Sequence, residues 1–129
     1  MPSVEELQKE AADIQKRYDE CQKSMVALNT SIEQTQVAMN ENTSVQNELN
    51  AMKEDQKVYK LVGPVLIHVD LEEAKSNVAN RIKLIKRQSE DLAEKAKKES
   101  DNYKKIEDEM IKLQQKVAML QVDSLPKQK

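Results

Sequence analysis

Residues Lys57 to Val69, KVYKLVGPVLIHV, decide the fold, because here a chain with helical spacing changes to the composition of strands. Two β-rich runs, Val58–Val62 and Val65–Val69, flank Gly63-Pro64, and a two-residue loop with glycine first suits a type II′ hairpin turn. Pairing across that turn sets Val62 opposite Val65, Leu61 opposite Leu66, Tyr59 opposite His68 and Val58 opposite Val69. One face then carries Val58, Val62, Val65, Ile67 and Val69, and the other carries Tyr59, Leu61, Leu66 and His68. A hairpin with one wet side should alternate apolar and polar residues, yet both faces here are apolar apart from Lys60 and His68. A lone hairpin is marginal in water, and the chain supplies no third strand. Its free edges therefore call for strands from other chains, with Val58, Tyr59, Leu61, Val62, Val65, Leu66, Ile67 and Val69 as the expected interface.

Upstream of the hairpin, Val4, Leu7, Ala11, Ile14, Tyr18, Cys21, Met25, Leu28, Ile32, Thr35 and Met39 follow the 3-4 spacing of a coiled-coil seam. Only Thr35 among them is not apolar, in a chain that is 38% apolar, so the stripe is a pattern rather than chance. Ser3 and Glu6 form a Ser-x-x-Glu capping box that starts this helix. Past Met39 the frame meets Asn42 and Gln46, recovers Leu49, and a second phase runs through Val45 and Met52, which suggests a looser seam near the hairpin. Downstream, Asp70 and Glu73 offer a second cap, and the stripe resumes from Leu71 to Leu120 with only Lys75, Ser89 and Glu99 breaking it. Acid-before-base pairs at i, i+4, such as Asp13/Arg17 and Glu94/Lys98, mark the outer faces as solvated helix.

The expected fold is mainly α: a long antiparallel two-helix coiled coil with one β-hairpin at the connecting end. It forms a single domain, 1–129, with helices over 3–52 and 70–120, the hairpin over 57–69 and a flexible tail over 121–129. Helices of some 50 residues each would be roughly 75 Å long, folded back so that both termini lie at the end away from the hairpin.

Composition narrows the function. One Gly, no Phe, no Trp and 34% charged residues argue against a conventional globular core. A net charge of −2 with interspersed signs provides no basic field for nucleic acid or anionic lipid. The longest apolar run is the hairpin, too short to span a bilayer, and PSVEELQKE lacks the order of a signal peptide. The single cysteine, Cys21, precludes an internal disulfide and fits a reducing, cytoplasmic setting. Catalysis has little support: Cys21 falls on the seam, His68 is the only histidine, and no phosphate-binding glycine loop or zinc spacing occurs. No catalytic, cofactor-binding or metal-ligating residue is assigned, and no cofactor is expected.

Apolar side chains outside the stripe have another use. Met119 lies off the seam near the end of the second helix with Ile111 and Val122, where a flexible, polarisable methionine suits a surface that accepts varied apolar sequences. With Leu7 and Ile14, seam residues that fraying near the helix ends could uncover, they are the candidate contacts for a bound polypeptide.

VYKLVGPVLIHVDLEEAKSNVANRI, residues 58 to 82, resembles the hairpin and second-helix start of the β-class prefoldin subunits. Val58-Tyr59-Lys60-Leu61, Gly63-Pro64-Val65-Leu66 and Leu71-Glu72-Glu73-Ala74 carry the match, with Asn77-Val78 and Arg81-Ile82 after them and Glu41-Asn42 and Val45 to Leu49 before. The resemblance implies a heterohexamer of two α-class and four β-class subunits whose hairpins close intersubunit β-barrels. It also implies an ATP-independent co-chaperone whose coiled-coil tips capture unfolded or nascent chains, such as actin and tubulin, for the cytosolic chaperonin. Its partners are then other prefoldin subunits, unfolded clients and the chaperonin, with no nucleic acid and no membrane. The alternative from another class is a coiled-coil tether or scaffold subunit that holds folded partners and has no chaperone activity.

Overall fold

The computed structural model describes residues 3–124, with side chains to Val122. Its elements in order are α1 (Val4–Ala51), β1 (Val58–Val62), β2 (Val65–Val69) and α2 (Leu71–Ser124). The second helix thus continues through Ser124 instead of stopping at 120, and the expected tail over 121–129 begins as helix; 125–129 lie outside the described residues. No proline or glycine intervenes before Pro126 to stop it.

The ends of the helices have identifiable chemistry. Glu6 N–H donates to Ser3 Oγ at 3.2 Å, Ser3 N–H donates to Glu6 Oε2 at 3.4 Å, and the Ser3 carbonyl accepts from Leu7 N–H at 3.1 Å, so the capping box forms. At the other end of α1, Met52 N–H bonds to the Leu49 carbonyl three residues back, and Lys53 N–H is taken by Gln56 Oε1 at 2.8 Å. The Gln56 side chain therefore satisfies a donor that another helical turn would have used. At the start of α2 the Asp70 backbone carbonyl accepts the Ala74 N–H at 2.9 Å.

The chain divides into two compact units. Among the described residues the first comprises 3–28 and 94–124. Ile14, Cys21 and Ile106 are buried at its centre, with Tyr18, Met25, Tyr103, Met110 and Leu113 packed around them. The helices run antiparallel here: Glu10 meets Lys116 Nζ at 3.3 Å and Arg17 Nη2 meets Glu109 Oε2 at 2.6 Å, one heptad on along α1 and one heptad back along α2. Tyr18 and Tyr103 add a tilted ring pair with centroids 5.9 Å apart.

The second unit comprises 29–93 and contains the hairpin. Its core is Leu49, Val78 and Ile82, onto which Met39, Met52, Val58, Leu71 and Ala74 pack. The Leu49 side chain recovers the seam where the heptad frame loosens. Thr35 and Asn42, two polar residues of the α1 stripe, donate to the carbonyls of Ser31 and Ala38 within the helix, at 2.8 and 2.7 Å.

Candidate assembly surface and helix-end patch

The hairpin pairs antiparallel in the register Val58–Val69, Tyr59–His68, Lys60–Ile67, Leu61–Leu66 and Val62–Val65. Gly63 turns the chain at φ +58°, the value that the first central position of a type II′ turn demands. Pro64 cannot adopt the positive φ that a type I′ turn would require of it. Pairing stops at two strands among the described residues, so each strand keeps one edge without a neighbour. Tyr59 and His68 face each other edge to face at 5.6 Å, a cross-strand contact in keeping with an ordinary structural histidine.

Exposure divides the expected interface residues. Val58 and Val69, at the open end of the hairpin, are half-buried, and Val58 packs on the Leu49–Val78 core. Tyr59, Val62, Val65 and Ile67 are exposed, and Leu61 and Leu66 are 68% and 64% exposed. These residues lie on both faces of the sheet, so neither face of the outer hairpin is covered by the chain's own helices. A contiguous apolar surface of this kind on a small element marks an interaction site.

The helix-end candidates separate sharply. Leu7 and Ile14 are only 4% and 2% exposed, because both are seam positions facing the opposite helix, so they become available only where the seam opens. Ile111, Met119 and Val122 are 53%, 63% and 65% exposed. They recur at steps of eight and three along α2, so they share its outer face, away from the seam.

Chemistry elsewhere is muted. Burial pushes the Cys21 thiol up to about 11, and Sγ lies 3.9 Å from the Glu99 carbonyl and 4.0 Å from Met25 Sδ. A protonated thiol enclosed in a seam is a poor nucleophile. Among the described residues no group of three His, Cys, Asp or Glu side chains is placed to hold a metal, and no helix is long and apolar enough to cross a membrane. The cross-helix pairs Arg17–Glu109 and Glu10–Lys116 escaped the sequence reading, which matched charges only within a helix.

The fold and this surface define an interaction subunit: a helix pair that presents an apolar hairpin not covered by its own chain. The family pattern described as "Prefoldin subunit" matches residues 12–117, and the chain belongs to that family. With membership go a co-chaperone role and assembly with other prefoldin subunits. The sequence is similar to "Probable prefoldin subunit 6" of Drosophila melanogaster, 36% identical over 104 residues that cover 81% of this chain and 78% of the fly protein. It is also similar to "Prefoldin subunit 6" of Saccharomyces cerevisiae, 28% identical over 97 residues that cover 75% of this chain and 85% of the yeast protein. In fold it matches the crystal structure of the prefoldin beta subunit from Thermococcus strain KS-1, with a TM-score of 0.66 at 16% identity over 84% of this chain and 90% of that one.

Proposed function

We propose that this chain is a β-class subunit of a heterohexameric, ATP-independent, cytoplasmic co-chaperone, with two α-class and three further β-class partners. The hairpin residues Val58, Tyr59, Leu61, Val62, Val65, Leu66, Ile67 and Val69 form its assembly interface by completing an intersubunit β-barrel. Closure into a barrel removes the unpaired edges and covers the apolar faces together. The observation that carries this reading is the exposure of Leu61 and Leu66 on one face and of Val62, Val65 and Ile67 on the other.

Client capture falls to the helix ends. Ile111, Met119 and Val122 offer a small apolar patch on an otherwise charged helix, and Leu7 and Ile14 join it only where the seam opens. One such patch binds weakly, but several on one assembly acting on the same unfolded chain raise the effective concentration. Clients are unfolded or nascent polypeptides such as actin and tubulin, passed on to the cytosolic chaperonin.

The test uses the complex assembled with the other purified subunits. Replacing Ile111, Met119 and Val122 together by serine is expected to leave the complex intact and to weaken its suppression of aggregation of a chemically denatured client. Undiminished suppression would remove the patch from the account, and an assembly with no such activity at all would favour the tether. Leu61→Asp is expected to prevent incorporation, since it places a charge where a barrel would bury it.

A further inference from the structure

Beneath β1 the hairpin unit contains an open groove of about 240 Å³. Its apolar floor is formed by Val45 and Leu49 of α1, Val58 of β1 and Val78 of α2, and its charged lining by Lys60 and Arg81. No carboxylate lines it. Val45 is 43% exposed, so the floor is open to solvent and not sealed by the chain itself. Among the described residues Lys60 and Arg81 enter no ion pair, whereas Arg17, Lys75 and Lys116 each meet a carboxylate.

Size and charge select the occupant. Sites for small organic ligands usually run from about 300 to 1,000 Å³ and enclose most of the ligand, which an open groove of this size does not do. The space suits one or two side chains of a polypeptide: one apolar, resting on Val45 and Val58, and one anionic, set against Lys60 and Arg81. Position selects the source. Val58, Tyr59 and Lys60 of β1 belong both to the groove lining and to the strand whose edge is unpaired, so a chain that pairs with β1 passes the mouth of the groove.

We propose that the groove receives a segment of a neighbouring prefoldin subunit, with an apolar side chain on the Val45–Val58 floor and an Asp or Glu between Lys60 and Arg81. The inference rests on the hairpin being the assembly element and adds to it a charged contact that chooses the neighbour. Apolar barrel residues supply area without discriminating strongly between similar strands. A pair of cations favours an acidic neighbour and repels a basic one.

The experiment assembles the complex from purified subunits carrying Lys60→Gln, Arg81→Gln or both, with Leu61→Asp and the charge-preserving pair Lys60→Arg and Arg81→Lys alongside. Affinity for the other subunits is measured at about 50 mM and about 500 mM salt. The double Gln variant is expected to bind on the order of tenfold more weakly at low salt, with the deficit shrinking at high salt, while the charge-preserving pair binds as the parent does. A photo-crosslinker at position 45 of the assembled complex is expected to capture an Asp- or Glu-bearing peptide of another subunit. Unchanged affinity and salt dependence in the double Gln variant, with Leu61→Asp still excluded, overturns the groove and leaves the hairpin reading standing. Crosslinks confined to client, or to a segment without a carboxylate, also overturn it. Should Leu61→Asp assemble normally, the hairpin reading falls and the groove proposal with it.

Discussion

Replacing Ile106 by alanine tests the packing of the first unit at its most enclosed point. Ile106 is 0% exposed and lies against Ile14 and Cys21. The substitution removes three carbons, a transfer loss of about 2.4 kcal/mol at roughly 0.8 kcal/mol per carbon. Partial collapse leaves a residual cavity of about 40 Å³, which adds about 1 kcal/mol at roughly 24 cal/mol per Å³. The expected total is about 3.4 kcal/mol, near the middle of the usual range for such a truncation. The comparison is Val117→Ala, on the same helix but 37% exposed, with an expected cost below about 1 kcal/mol. Amide hydrogen exchange on the assembled complex reads the effect locally. Protection of peptides from 10–28 and 94–113 is expected to fall by about two orders of magnitude, while peptides around Leu49 and Val78 hold theirs. Loss of protection no greater than that of Val117→Ala would refute the assignment of Ile106 as the centre of this core.

Two further expectations concern charge. A folded Cys21 thiol keeps its proton to about pH 11, whereas an unfolded one releases it near 9.0, so its contribution is full below pH 9 and is lost as pH rises through 11. At pH 10.5 the stability of the parent should have fallen relative to its value at pH 8 by roughly 1–2 kcal/mol more than that of Cys21→Ala, as read from urea unfolding; parallel losses would contradict the burial argument. A double-mutant cycle with Arg17→Gln and Glu109→Gln should return a favourable coupling that shrinks in high salt, and zero coupling would show that the 2.6 Å pair is incidental.

The parts of this fold that were legible in the sequence are those dictated by short-range periodicity. The alternation around Gly63-Pro64 determined the hairpin register, since a two-residue loop leaves no freedom to slip. The heptad stripe placed Ile14, Cys21 and Ile106 in the seam, where they are buried. What remained hidden depends on which residues meet across elements. Arg17–Glu109 and Glu10–Lys116 require the relative stagger of two helices, which heptad counting leaves open by whole turns. The end of α1 has no glycine or proline to mark it in the sequence, since the Gln56 side chain takes the Lys53 N–H there. The burial of Leu7 and Ile14 was legible from their place on the seam, whereas whether the seam opens there depends on end stability that no spacing encodes. The groove beside Lys60 and Arg81 arises only when β1 lies over both helices, and no linear pattern brings Val45, Lys60 and Arg81 together.

Amide exchange across 58–69, measured for the isolated chain and again within the complex, addresses the central claim most directly. The account predicts rapid exchange at the outer edges of β1 and β2 when the chain is alone, and strong protection of those same amides once the other subunits are present. Equal exchange in the two states would mean that no foreign strand completes the sheet, and the hairpin would lose its role as the assembly element.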